Sequence, residues 1–328
     1  MATDVRIAVF GSSAISVPIF DVIAKRYTVV LAVISEHARV ERGRLVENPV
    51  QEWATSRSIP VMNGADVPAD VLRAAILKEG VDLVFLCSYG KLLPQDLLDS
   101  PRLASINLHP SPLPRYRGAA PIERQIMDGC TVSAVTIIQM NGALDRGDIL
   151  AEQEFEIAST DYRPDVERSV IWAGVPLACS VIERLACGDV EGRPQVGEGS
   201  YARKLRAEDE TIDWSRPVTQ VYNQIRALSP DPCASTSSSG DRLRIVRASP
   251  LASLPDSKER PGRPGTLSLL SRRRAAVRCG EGWLELEVVQ FPGKKPMSVG
   301  ELINGRRLSD GMTFSSPTHS SETLRKSY

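Results

Sequence analysis

Short, almost wholly apolar runs recur through the first third of the chain. Each is closed by a turn residue and followed by a stretch of helical spacing. Residues 5–10 (Val-Arg-Ile-Ala-Val-Phe) end in Gly11, and Pro18 opens an apolar stretch to Ala24 that reads as a helix. Residues 28–34 are a second β-branched run, Pro49 to Ser56 a second helix, and 81–87 and 104–109 two further strands. A strand apolar at nearly every position must be covered on both faces, which is the situation of a parallel sheet flanked by helices. Strands alternating with helices therefore predict an α/β fold, Rossmann-like with a mostly parallel sheet.

The texture changes after Asp189. Glu191 to Lys204 is broken by Gly192, Pro194, Gly197 and Gly199 and reads as a linker. A helix is expected over Val218–Leu228, where Val218, Val221, Ile225 and Leu228 fall on one face. Short strands at Leu243–Val246, Ala275–Cys279 and Trp283–Val289, separated by Gly and Pro, predict a small OB-like β-barrel. Ser235–Gly240 reads as a loop between barrel elements, and the polar residues 315–328 as a disordered tail. The expected division is 1–189, a linker at 190–208, a barrel at 209–314 and the tail. No internal repeat is found.

Composition narrows the classes. Of 328 residues, 42% are apolar and 24% charged, as in ordinary globular proteins. No apolar run in the sequence approaches the roughly 20 residues that span a bilayer, and no leader precedes the first strand, which predicts the cytoplasm. The six cysteines form no Cys-x-x-Cys pair, so neither a disulfide scaffold nor a zinc site is expected. Lys and Arg equal Asp and Glu at 40 each, but from Tyr201 onward they stand at 21 to 14, and before it at 19 to 26. A basic second half can meet a polyanion, although solvated surface charge gives the same count.

The chemistry-bearing feature is Ile106-Asn107-Leu108-His109 followed by Pro110. Alternate side chains of a strand share a face, so Asn107 and His109 point together while Ile106 and Leu108 enter the core. Pro110 cannot continue a central strand. The pair thus sits at a strand's C-terminal end, where open α/β sheets bind ligands. An amide can donate to a developing oxyanion, and an imidazole can exchange protons near neutral pH. Asp145, in the loop Gly142–Ile149, could orient that imidazole. Taken alone, the same residues would also serve as a structural hydrogen-bonding group.

Their surroundings favour chemistry. Asn107–Glu123 (NLHPSPLPRYRGAAPIE) resembles the N-x-H-x-S-L-L-P-x-x-R-G-x-x-P-I pattern of the folate-dependent formyltransferases. Ser88–Pro94 (SYGKLLP) is similar to the Y-G-x-x-L-P loop of that superfamily, and Leu144–Ile149 (LDRGDI) to its L-D-x-G-D-I. Tyr201–Leu205 (YARKL), Asn223–Pro230 (NQIRALSP), Gln290–Met297 (QFPGKKPM) and Leu302–Gly311 (LINGRRLSDG) resemble the linker and C-terminal segments of its methionyl-tRNA branch, so the likeness covers nearly the whole chain.

That resemblance implies transfer of a formyl group from 10-formyltetrahydrofolate to the α-amine of methionyl initiator tRNA. Asn107, His109 and Asp145 take the catalytic positions. Ser111, Pro112, Leu113 and Pro114, with Leu86, Ser88, Tyr89, Gly90, Leu92 and Leu93, take the folate-binding ones. Arg42, Gly43 and Arg44 match the loop that approaches the tRNA acceptor end. Lys204, Arg206, Lys294, Lys295, Arg306 and Arg307 would extend a basic track, while Arg272–Arg274 reads equally as a charged turn. The implied partners are the tRNA and the folate co-substrate, with no metal and no membrane, acting on a monomer.

Four departures from the pattern stand out: Pro112 in the folate loop, Ser12-Ser13 after Gly11, residues 35–41 before the Arg-Gly loop, and Asp231 between two prolines. A relative formylating an amino-sugar nucleotide or another small amine would keep the trio and differ in the acceptor loop and second half. A dinucleotide oxidoreductase is disfavoured because Gly-Ser-Ser-Ala-Ile-Ser replaces Gly-x-Gly-x-x-Gly. A serine hydrolase is disfavoured because no Gly-x-Ser-x-Gly elbow is present.

Overall fold

The structure is a computed structural model describing residues 4–35, 39–41, 44–238, 241–251, 253 and 262–315. The chain divides into two compact units: Met1–Ile122, Thr131–Ile157 and Pro164–Lys204 make one, and Glu123–Cys130, Ala158–Arg163 and Leu205–Tyr328 the other.

The first unit begins β1 (Arg6–Phe10), α1 (Ser16–Arg26), β2 (Thr28–Ile34), the hairpin strands β3 (Arg39–Glu41) and β4 (Arg44–Val46), and α2 (Pro49–Ser56). It continues β5 (Val61–Asn63), α3 (Ala69–Lys78), β6 (Leu83–Leu86), α4 (Gln95–Leu98), β7 (Ala104–His109) and β8 (Arg117–Gly118). After α5 (Pro121–Met127), which belongs to the other unit from Glu123 on, come β9 (Val132–Gln139), β10 (Ile149–Glu156), the long α6 (Arg163–Cys187) and β11 (Tyr201–Ala202). Among the described residues, seven strands form one sheet in the order β10-β9-β7-β6-β1-β2-β5. The pairs from β7 to β5 are parallel, while β9 and β10 run antiparallel at one side.

Local chemistry explains the boundaries. Asn48 accepts hydrogen bonds from Val50 N at 3.0 Å and Gln51 N at 3.4 Å, and Pro49 takes the first helical position, so α2 starts where its cap and its proline require. A Cβ on Gly11 would stand 2.6 Å from the Cys87 carbonyl oxygen and 2.9 Å from the Phe20 ring, so the turn after β1 admits only glycine. Burial is complete along β1 from Ile7 to Phe10 and along β6, as strands covered on both faces require.

The 25-residue α6 departs from the sequence expectation: by length and composition it could cross a membrane, although its unbroken apolar run covers only Val170–Cys179. It serves as a core helix here. Val166, Val170, Ala173, Ala178, Val181 and Ile182 are buried, and Gly174 approaches Leu108 of β7 so closely that a Cβ would lie 2.9 Å from its Cδ1. Small residues let the helix backbone come down onto the strand that carries the polar pair. The segment after it is also less linker-like than its glycines suggest. Arg193 bridges Ile149, and Tyr201-Ala202 pairs in parallel with Arg117-Gly118.

The second unit holds α7 (Val218–Leu228), β12 (Ala234–Ser238), β13 (Asp241–Leu251), β14 (Leu267–Leu269), β15 (Ala275–Arg278), β16 (Trp283–Gln290), β17 (Met297–Ser298) and α8 (Val299–Asn304). Its antiparallel sheet runs β12-β13-β16-β15-β14, with β17 on β16. The segment Gly311–Ser315 then pairs with both ends of that order. Leu267 N donates to Met312 O at 2.7 Å, and Ser237 N to Ser315 O at 2.8 Å, which curls the sheet into a small barrel. Its core gathers Val221, Ile225 and Leu228 of α7 with Ile245, Leu267, Val277, Leu284 and Leu286.

The Ser-rich run is a correction. Residues 234–238 form β12 rather than a loop, and the fully buried hydroxyl at its centre is satisfied on both sides. Trp214 Nε1 donates to Thr236 Oγ1 at 2.9 Å, and Thr236 Oγ1 donates to Ser315 O at 2.9 Å. The tail expected to be disordered lies, from residue 316 on, outside the described residues.

Candidate active site

The polar pair lies where strand alternation puts it. Ile106 and Leu108 are fully buried, whereas Asn107 is half-buried and His109 faces the same side. In register, Leu86 at the end of β6 stands beside Asn107, and Thr136 of β9 opposite His109. Both polar side chains converge on Asp145. Asn107 Nδ2 donates to Asp145 Oδ1 at 3.3 Å, and His109 Nδ1 stands 3.7 Å from Asp145 Oδ2. The His109 and Asp145 side chains are only 6% and 9% exposed, so their charges act through little intervening water.

The second ring nitrogen decides the tautomer. His109 Nε2 is 2.9 Å from the Tyr116 carbonyl oxygen, which can only accept. The hydrogen therefore sits on Nε2 in the neutral ring, and Nδ1 presents its lone pair toward Asp145. Protonation places a donor at Nδ1. At 3.7 Å the approach to Oδ2 is within ion-pair reach and beyond a hydrogen bond, which leaves Nδ1 free to serve a reacting group.

Asp145 is held on every side. Its φ is +50°, a left-handed conformation unusual for a residue other than glycine. Gly118 N donates to Oδ2 at 2.8 Å. Arg117 Nε at 3.1 Å and Gln195 Nε2 at 2.9 Å both donate to the Asp145 carbonyl. Gln195 Nε2 also reaches the Gly147 carbonyl at 2.8 Å, while its Oε1 accepts from Arg117 Nε at 3.1 Å and Nη2 at 2.5 Å. Burial, followed by the charge of Arg146, holds the Arg117 guanidinium below its usual range. Gly147 is obligatory, since a Cβ there would overlap the Gln139 carbonyl oxygen at 1.6 Å. Arg117, Gln195 and the Tyr116 carbonyl are parts of the site that the sequence does not single out. The Gln195 contacts span 48 to 78 residues, which no local pattern encodes, whereas Tyr116 lies only seven residues after His109.

The loop after β7 is pinned to the same frame. Ser111 Oγ donates to Arg115 O at 2.7 Å, and Thr136 Oγ1 donates to Ser111 O at 2.7 Å. Ser111 and Leu113 are buried, Leu113 packing with Ile138 and Ile149, while Pro112 and Pro114 are half-buried. Along the other expected folate loop, Leu86, Tyr89 and Leu93 belong to the core, and Tyr89 packs edge-on against Phe10 at 5.2 Å. Ser88, Gly90 and Leu92 are exposed, with Leu92 at 66%. Ser88 and Gly90 take positive φ; the Ser88 carbonyl accepts from Ser12 N at 3.1 Å, whereas a Cβ on Gly90 would meet nothing within 4 Å, so open backbone is on offer at Gly90.

The expected tRNA-binding residues fall in two groups. Arg42 and Gly43 lie outside the described residues, and Arg44 is placed only as part of β4. In the first unit Lys204 is exposed. In the second, Arg206, Lys294, Lys295, Arg306 and Arg307 are exposed, Arg206 standing 3.7 Å from Glu208. The Arg307 guanidinium lies over the Phe291 ring at 5.6 Å, which brings the Lys294-Lys295 loop beside Arg306-Arg307. Arg274 is instead committed to Glu285 by two hydrogen bonds of 2.6 and 2.7 Å.

Comparison with known proteins agrees with this frame. The formyl transferase family model matches residues 5–181, and the model of the formyl transferase C-terminal domain matches residues 204–307. The methionyl-tRNA formyltransferase of Ectopseudomonas mendocina is 35% identical over 265 residues, 80% of this chain and 82% of that protein. That of Coxiella burnetii is 32% identical over 313 residues, 94% of this chain and 98% of the other. In fold, the chain is similar to HypX from Aquifex aeolicus, solved in complex with tetrahydrofolic acid. The TM-score is 0.64 at 18% identity, over 94% of this chain and about half, 48%, of that one. Two family models in sequence order, and relatives alike along nearly the full length, place this chain in the methionyl-tRNA formyltransferase family, a family of one-carbon formyltransferases.

Proposed function

We propose that this protein transfers the formyl group of 10-formyltetrahydrofolate to the α-amino group of methionyl initiator tRNA. The observation that carries the reading is the convergence of Asn107 Nδ2 and His109 Nδ1 on Asp145, with the imidazole fixed by the Tyr116 carbonyl. Attack by the amine puts negative charge on the formyl oxygen. Asn107 and protonated His109 donate to that oxygen from positions set before substrate arrives, and such preorganised donors act strongly in a dry site. The bond from carbon to the α-amine forms, and the bond to the donor nitrogen breaks. The proton lost by the amine ends on that donor nitrogen, with His109 Nδ1 and Asp145 Oδ2 as the groups that relay it.

The donor, with its flat polar heterocycle, would be held by the loops at the strand ends that carry the trio. The exposed Ser88, the open backbone at Gly90, the apolar Leu92, and the rigid Ser111-Pro112-Leu113-Pro114 turn lie there. In this reading Leu86–Leu93 and Ser111–Pro114 hold the folate. Arg42-Gly43-Arg44, Lys204, Arg206, Lys294, Lys295, Arg306 and Arg307 serve the tRNA, with residues 209–314 as its docking domain. The chain acts as a cytoplasmic monomer. The excess of basic residues after Tyr201 and the family of the full-length relatives support this acceptor over a small amine.

The test is substitution with separated readouts. His109→Ala is expected to slow formyl transfer roughly a thousandfold while methionyl-tRNA still binds in a filter-retention assay. Loss of binding together with turnover would assign His109 a structural part instead.

A further inference from the structure

A tyrosine ring stands in solvent next to the group that holds the catalytic carboxylate. Tyr201 is 65% exposed, although it belongs to a paired strand. Its backbone is fixed by neighbours on both sides. Arg117 N donates to Ser200 O at 3.0 Å, Ala119 N donates to Ala202 O at 3.0 Å, and Tyr116 N donates to Ser200 Oγ at 2.9 Å. The ring lies against Gly118, whose φ is +114°, and a Cβ there would stand 2.7 Å from a Tyr201 ring carbon. The same Gly118 donates its N–H to Asp145 Oδ2 at 2.8 Å. The ring is thus held on a glycine one hydrogen bond from the trio.

Single exposed aromatics are common and need no explanation by themselves. Two further observations set this one apart. It is preorganised by a strand pair and a bare glycine rather than lying loosely on a surface. It is also set among cations: Arg115, two residues from its register partner Arg117, and Lys204, three residues after it, are both exposed, against the exposed acid Glu198 three residues before it. Exposed aromatic faces among basic side chains are how proteins hold unpaired bases, because every base has a face to stack and a phosphate beside it.

We propose that Tyr201 is the stacking platform for the 3′-terminal base of the aminoacylated acceptor, and so a specificity-determining residue for the amine substrate. This rests on the acceptor named above. An α-amine delivered to Asn107 and His109 is followed, one ester-linked ribose away, by that terminal nucleoside. Among the described residues, the exposed aromatic held by the site's own backbone is Tyr201. Neither the pterin nor the amino-acid side chain brings the adjoining phosphate that Arg115 and Lys204 complement.

Loss of one stacked base is expected to weaken acceptor use by about tenfold. Tyr201→Ala should therefore raise KM for methionyl initiator tRNA about tenfold, with kcat within about threefold and KM for 10-formyltetrahydrofolate unchanged. Tyr201→Trp and Tyr201→Phe should restore wild-type behaviour, since the face and not the hydroxyl is used. A methionyl-tRNA whose terminal nucleotide is abasic should lose the same factor with wild-type enzyme and nothing more with Tyr201→Ala. Additive losses overturn the proposal, as does an equal rise in KM for the folate, or failure of Tyr201→Phe to restore. Wild-type enzyme that formylates no methionyl-tRNA would instead remove the acceptor reading itself.

Discussion

The two units hold their polar groups in opposite ways. In the first, the carboxylate and imidazole of the trio are nearly dry beside the half-buried Asn107, and they are fixed mostly through backbone: a carbonyl on His109, a glycine N–H on Asp145, and the Arg117–Gln195 pair on the loop carbonyls. In the second, the Lys294, Lys295, Arg306 and Arg307 side chains stand in solvent, with a ring under Arg307 to steer it. The contrast separates two kinds of work. Stabilising charge in a transition state needs donors that do not reorganise, whereas gathering a polyanion needs charge that reaches out and tolerates motion. Changes in the trio and the groups that brace it should therefore act on kcat and be indifferent to salt. Changes in the second should act on KM and depend on it.

The largest effect should come from the trio. His109→Ala is expected to lower kcat by roughly a thousandfold, measured by single-turnover formyl transfer. A deficit that high ionic strength alters would blur the distinction between the units. Next comes Gln195→Ala, which removes the brace on the Asp145 and Gly147 carbonyls without touching substrate. A displaced catalytic group costs up to about a hundredfold, so kcat should fall roughly 10- to 100-fold with KM for tRNA unchanged. If KM moves and kcat does not, Gln195 belongs to the acceptor surface instead.

A smaller, salt-coupled effect is expected from Lys294→Ala with Lys295→Ala. KM for tRNA should rise several-fold, and the dependence of log KM on log salt should flatten by about one for each phosphate left unneutralised. An unchanged slope would mean that these lysines touch no phosphate. Least of all, Arg274→Ala should change transfer less than about twofold in the same titration. Its guanidinium is already occupied by Glu285, and exposed pairs contribute little.

The sequence is informative wherever a property repeats at short range. Alternation places Asn107 and His109 on one face, Pro49 opens α2, and the apolar spacing from Val218 to Leu228 bounds α7. It is uninformative where small residues or long pairings decide. Nothing local marks α6. Its buried face mixes Val166, Val170, Val181 and Ile182 with the small Ala173, Gly174, Ala178 and Cys179, apolar residues such as Trp172 also lie on its exposed side, and Pro176 falls inside it, so no amphipathic spacing stands out. The Ser-rich β12 reads as a loop because its side chains are small and polar, and the partner of its buried Thr236 hydroxyl, the Ser315 carbonyl, lies far along the chain. The trio itself is legible, but its support is not: Gln195 comes from a segment that looks like linker and meets Asp145 only through the fold.

The central claim is that the Asn107–His109–Asp145 group formylates an amine presented by tRNA. Labelled 10-formyltetrahydrofolate and methionyl initiator tRNA, incubated with wild-type protein and with His109→Ala, test it most directly. Labelled formylmethionyl-tRNA is expected with the wild type, and labelling roughly a thousandfold slower with the variant. No labelled tRNA from wild-type protein at saturating folate, or equal labelling by both proteins, would contradict it.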